Sequence, residues 1–198
     1  GQVEDVSRCV TMDLKSAGNL LYQVGLTKDE LGGSHFALVN SLTGGHVPKV
    51  DAQVAKETFA ALHYAINSGF VRACHDLSEG GLAAAAAEMA FAGGLGVKIR
   101  LSDVPTNIPV AERSDGFDEV LLFSESNTRF LVEIPPGRRP YFEAAMSGVP
   151  LAHIGEVTDS GRLQIAAAPS AHRQLPSDWL VDLEIATLKE AWQKPLKW

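Results

Sequence analysis

The clearest helical rhythm lies between residues 51 and 68. Val54, Phe59, Leu62 and Ile66 recur three to five positions apart, Asp51 stands where a cap is needed, and Gly69 where a helix ends. A second helix is predicted over 79–92, ending at Gly93-Gly94, and its run of alanines makes a thin face that can lie close on a sheet. Short apolar runs predict strands at 20–26, 70–74, 97–101, 129–134, 151–157 and 163–167. The last two are separated by Asp159-Ser160-Gly161, a hairpin-type turn. The run His35-Phe36-Ala37-Leu38-Val39 suits a short helix or a strand, the helix being preferred, and further helices are predicted at 117–123, 140–146 and 183–193, the last stopped by Pro195. Helices and strands interleave, which predicts an α/β layered fold with a mixed sheet. Residues 1–17 read as a linker or the end of a preceding element, and 18–198 as one domain.

Composition narrows the class. With 45% hydrophobic and 21% charged residues, the 198-residue chain can bury roughly two-thirds of its extended surface, which excludes wholesale disorder. Acidic side chains outnumber basic ones, 24 to 17, and no basic cluster interrupts the net charge of −7, so nucleic acid and an anionic membrane surface are not expected partners. No apolar run approaches the roughly 20 residues of a membrane span. Cys9 and Cys74 lack C-x-x-C or histidine-spaced partners, which predicts neither a zinc site nor a disulfide and points to a reducing, cytoplasmic setting. The chain begins Gly-Gln-Val without a signal pattern and reads as part of something longer.

Candidate chemistry concentrates in the predicted strand, loop and helix of residues 70–92. Ser78 or Asp76 is placed to cap a helix opening with Glu79, Gly80 and Gly81, where bare backbone N–H groups form an anion seat in outline. Paired glycines also serve tight helix–sheet packing, and that reading stays open. The stretch matches neither a Walker A loop nor G-x-G-x-x-G. His75 and Asp76 could form a base and its orienting acid, but neighbours on an extended backbone point to opposite sides, which favours a satisfied loop histidine. Ser124-Glu125-Ser126-Asn127 offers oxygens and an amide suited to a phosphate or magnesium shell, or to local capping of a helix end. The other histidines, His35, His46, His63, His153 and His172, show no metal-ligand spacing.

The order of these motifs is more specific than any one of them. Glu30-Leu31-Gly32-Gly33-Ser34, His75-Asp76-Leu77-Ser78-Glu79-Gly80-Gly81-Leu82, Glu88 to Gly96, Leu121-Leu122-Phe123-Ser124-Glu125-Ser126 and Phe130-Leu131-Val132-Glu133 together resemble the phosphoribosylformylglycinamidine synthases. The match is to the C-terminal subdomain of the second synthetase half, within the aminoimidazole ribonucleotide (AIR) synthase-related, PurM-like superfamily. The resemblance implies a three-layer α/β/α structure, partly ferredoxin-like. It also implies an ATP- and Mg²⁺-dependent ligase of purine biosynthesis, which converts formylglycinamide ribonucleotide and glutamine-derived ammonia to the amidine. Its partners are an upstream N-terminal synthetase subdomain and a glutaminase domain or subunit, and an isolated chain is expected to self-associate through an exposed apolar face. Catalytic histidines belong to the N-terminal subdomains, so no catalytic residue is expected here and the isolated chain should be inactive. The phosphate- or nucleotide-binding candidates are His75, Asp76, Ser78, Glu79, Gly80, Gly81, Glu125, Ser126 and Asn127. Where the catalytic half carries Glu-Ser-Gln this chain reads Glu125-Ser126-Asn127, and with the His-Asp-x-Ser turn this implies the non-catalytic, structural-nucleotide half.

Overall fold

The computed structural model describes residues 3, 5–113, 116–168 and 179–196. Within these, seven strands form one sheet: β1 (Leu20–Val24), β2 (Ala73–Asp76), β3 (Gly96–Arg100), β4 (Phe130–Ile134), β5 (Leu151–Thr158), β6 (Arg162–Ala166) and β7 (Val181–Glu184). Their spatial order is β2-β4-β1-β5-β3-β6-β7, antiparallel throughout except for the parallel pair β3 and β6. Among the described residues six α-helices accompany them: α1 (His35–Val39), α2 (Ala52–Asn67), α3 (Gly81–Gly93), α4 (Phe117–Phe123), α5 (Arg139–Ala145) and α6 (Ile185–Gln193).

Strand alternation explains the layers. In β1 and β4, Tyr22, Val24, Val132 and Ile134 point to one face and meet Leu62 and Ala65 of α2 and Phe142 of α5, while Leu21 and Leu131 point to the other and meet α3 and α4. The result is α/β/α. β1, α2, β2, β4, α5 and β5 reproduce the ferredoxin-like order, with α3, β3 and α4 inserted between β2 and β4, and β6, β7 and α6 appended. The alanine face of α3 lies on the sheet as its composition predicts, with Leu82, Ala85, Ala86, Met89 and Ala90 buried.

Four sequence expectations are corrected. β5 and β6 are not a hairpin: β3 lies between them and bonds to both, and Gly96 opens β3 beneath the 158–162 turn, where a Cβ would collide with Ser160 and Thr158. The turn chemistry is local, whereas the pairing is decided by a strand more than fifty residues earlier. β2 starts at Ala73 and takes in His75 and Asp76, because its register on β4 extends to the pair Asp76 and Phe130. β1 ends at Val24 because Gly25 turns left-handed, with φ 84°. Leu183 and Glu184 belong to β7, held on β6 by backbone pairing and by Arg162 to Asp182 at 2.6 Å, so α6 begins later than the sequence predicts.

Candidate functional site

The turn after β2 places Leu77 in the core and runs through Ser78 and Glu79 to Gly80, which takes the left-handed conformation (φ 77°) and opens α3. Gly80 is the cap residue. Neither Ser78 nor Asp76 caps the helix, although the Ser78 carbonyl accepts the Gly81 N–H at 3.0 Å. The Gly80 N–H donates instead to Glu125 Oε1 at 2.9 Å, from the loop after α4, and the same oxygen accepts the His35 N–H at the head of α1, also at 2.9 Å. The chain's own carboxylate therefore fills the anion seat that the glycines outline. Gly81 is a packing glycine with φ 62°: a Cβ there would lie 2.5 Å from the Ser124 carbonyl oxygen and 2.8 Å from that of Leu122. The Gly80 N–H is thus taken by Glu125 and Gly81 is packed against the 122–124 backbone, and no chemical step is assigned to either.

His75 is held from both sides. Its Nε2 lies 2.9 Å from Glu88 Oε2 on α3 and its Nδ1 3.3 Å from Asp76 Oδ1. Asp76 ends β2, and the opposed orientation expected of strand neighbours is not kept there. The second Glu88 oxygen accepts the Trp192 indole N–H at 3.0 Å, so the histidine ties the sheet to α3 and, through Glu88, to α6.

The loop from Ser124 to Arg129 is anchored from beneath. Ser124 Oγ donates to the Lys28 carbonyl at 2.8 Å and lies 3.0 Å from Ser126 Oγ, which accepts the Lys28 N–H at 3.1 Å, so Ser126 is a buried strut. Arg129 is 1% exposed and donates from Nε to the Ser126 carbonyl at 2.9 Å, from Nη1 to Thr27 Oγ1 at 2.9 Å, and from Nη2 to the Ser124 carbonyl. Burial pulls its guanidinium down to about 10, opposed by the nearby carboxylates of Glu30 and Glu125, so it stays charged at neutral pH. Between the strut and the arginine, Thr128 has φ 63°, a strained conformation for a β-branched residue.

Five of the predicted residues, Asp76, Ser78, Glu79, Glu125 and Asn127, line one cleft of about 410 Å³ with Pro48 and Phe59 as apolar wall. His75, Gly80, Gly81 and Ser126 are not among its lining residues. On the other side of Asn127 and Thr128 is a second cleft of about 340 Å³, lined among others by Lys28, Lys49, Asp51 and Thr58. Sequence reasoning passed over Arg129, Thr128 and both lysines. The one available signal was a charge heading an apolar strand. Among the described residues no three His, Cys, Asp or Glu side chains are placed to hold a metal ion, and His172 lies outside them.

The chain matches the family described as AIR synthase related protein, C-terminal domain, over residues 16–167. It is 35% identical over 203 residues to phosphoribosylformylglycinamidine synthase subunit PurL of Deinococcus radiodurans, a match covering all of this chain and 25% of that protein. To the PurL subunit of Synechocystis it is 34% identical over 198 residues, covering 98% and 24%. The chain thus spans about a quarter of the length of these relatives. Among solved structures, Thermotoga maritima PurL complexed with FGAR (formylglycinamide ribonucleotide) superposes with a TM-score of 0.75 at 19% identity, over 92% of this chain and 30% of that one. Escherichia coli HypE, a hydrogenase maturation protein, superposes with 0.59 at 22% identity, over 85% and 53%. These likenesses carry the fold, and the family match spans more than half the sequence: the chain belongs to the AIR synthase-related C-terminal domain family.

Proposed function

We propose that this chain is the C-terminal subdomain of a phosphoribosylformylglycinamidine synthase, an ATP-dependent carbon–nitrogen ligase that converts formylglycinamide ribonucleotide and glutamine-derived ammonia to the amidine. The observation that carries the reading is 35% identity to a PurL subunit along the whole chain. In this proposal residues 1–17 link to an upstream N-terminal synthetase subdomain that holds the catalytic histidines, and a glutaminase supplies ammonia in the cytoplasm. The exposed apolar side chains of Leu38, Val39, Leu42, Val47 and Val50 are available to meet the neighbouring subdomain, or a second copy when the chain is isolated.

Within that enzyme we assign the chain a non-catalytic part. Glu125 in the seat at the head of α3 favours this. The cleft rim of Asp76, Glu79 and Glu125 repels a bare phosphate, so a nucleotide reaching Ser78 and Asn127 there would carry its own Mg²⁺. The test is turnover. Full-length protein given ATP, Mg²⁺, ammonia and formylglycinamide ribonucleotide should form the amidine with release of ADP and phosphate, while the 198-residue chain alone should release no phosphate above blank. An inactive full-length protein would sink the ligase reading, and turnover by the chain alone would sink the assignment of catalysis to the upstream subdomain.

A further inference from the structure

Asn127 and Thr128 line both clefts and so stand between them. A β-branched residue at φ 63° is strained and holds that conformation only where surrounding contacts over-determine it. Two contacts do so. Arg129 spans the loop, gripping the Ser124 and Ser126 carbonyls on one side and the Thr27 hydroxyl on the other. Gly25 lets the 25–28 segment come close enough to supply that hydroxyl: a Cβ at Gly25 would strike the Thr128 carbonyl and lie 3.0 Å from Arg129 Cγ. The guanidinium suits this place because it is planar and offers five donors in a fixed fork, which a lysine ammonium cannot reproduce. Its buried charge is offset by Glu30, which is 7% exposed, and by Glu125, whose carboxylate reaches the heads of α1 and α3.

We propose that Arg129 is a positioning residue: from inside the fold it fixes the 124–128 loop so that Asn127 and Thr128 stand between the clefts and Glu125 reaches Gly80 and His35. It touches no reacting group in this role and acts through the loop it holds. The part of the inference that concerns ligand binding rests on the function proposed above, whereas the loop geometry does not.

The experiment uses full-length protein with Arg129→Met, Arg129→Lys and Thr27→Val, the last removing one acceptor and leaving the charge. Hydrogen exchange is followed in peptides containing the His35 and Gly80 amides, with β1 and β4 as internal controls. Exchange at both amides should quicken about tenfold or more in Arg129→Met, the order expected for one local hydrogen bond set free, and less in Arg129→Lys and Thr27→Val, while the controls stay protected. The thermal shift produced by Mg·ATP, and KM for ATP, should worsen in the same rank order with kcat less affected. If Arg129→Met does not fold, the other two variants decide. Wild-type exchange at His35 and Gly80 in folded Arg129 variants would overturn the proposal, as would quickening spread evenly over β1 and β4. Should wild-type protein show no response to Mg·ATP, the functional reading fails while the exchange result still judges Arg129.

Discussion

The heads of α2 and α3 face the same problem, N–H groups with no carbonyl one turn back, and meet it at different ranges. At α2 the answer is local: Asp51 Oδ1 accepts the Gln53 N–H at 3.0 Å and the Val54 N–H at 3.1 Å. At α3 the cap residue is a glycine without a side chain, and the acceptor is Glu125, forty-five positions away. A local cap forms as soon as its helix does. A remote cap forms only when α1, α3 and the loop after α4 have assembled, so the head of α3 reports on the whole site. The difference also separates two uses of glycine. Gly69, at φ 71° after α2, has open space where a Cβ would be, whereas Gly81 has the 122–124 backbone pressed against it.

The comparison is broken most severely at Gly81. Gly81→Val combines a disfavoured φ with collision against two carbonyl oxygens, so it should cost about 3 kcal/mol or more, whereas Gly69→Ala should cost about 1 kcal/mol from the left-handed conformation alone. Urea denaturation of the two variants side by side measures this, and equal losses would mean that the α3 head is not closely packed. Next comes Glu125→Ala, which strips a mostly buried carboxylate from two helix heads and should cost about 2 kcal/mol. Asp51→Ala, on an exposed head, should cost about 1 kcal/mol and leave exchange at Gly80 unchanged.

The smallest effect belongs to a long-range bond from a buried tyrosine to a carboxylate at the edge of the fold. The Tyr22 hydroxyl donates to Glu143 Oε1 at 2.7 Å and, helped by Arg139, holds that carboxyl below its ordinary value of 4.5. A carboxyl depressed in the folded state stabilises the fold above its unfolded pKa, and that contribution is lost as pH falls through the folded value. Tyr22→Phe should therefore lower stability slightly at neutral pH and converge on the wild type as pH falls below about 4.5, so that the acid limb of the stability profile flattens, as followed by thermal melting across pH. An unchanged acid limb would show that the bond contributes nothing.

Where one residue's neighbours in sequence set its structure, the sequence was legible. The Asp51 cap, the periodicity of α2, the alanine face of α3 and the limits of α4 depend on interactions within one or two turns, and residue type with spacing determined them. The ordered motifs also determined the family, and they contain five of the residues that line the first cleft. Tertiary structure alone decided which strands pair and which groups meet. The turn at Asp159-Ser160-Gly161 has hairpin chemistry, yet β3 lies between its strands. Glycines at 80 and 81 allow an anion to approach, yet Glu125 is already there. Arg129 stands at the head of β4 with nothing in its local pattern to mark it as the clamp of the loop, because its acceptor on Thr27 comes from a segment a hundred residues earlier. Hydrogen bonds and ion pairs reach only a few ångströms, and chain folding, which brings distant segments within that reach, is not written in any local window of sequence.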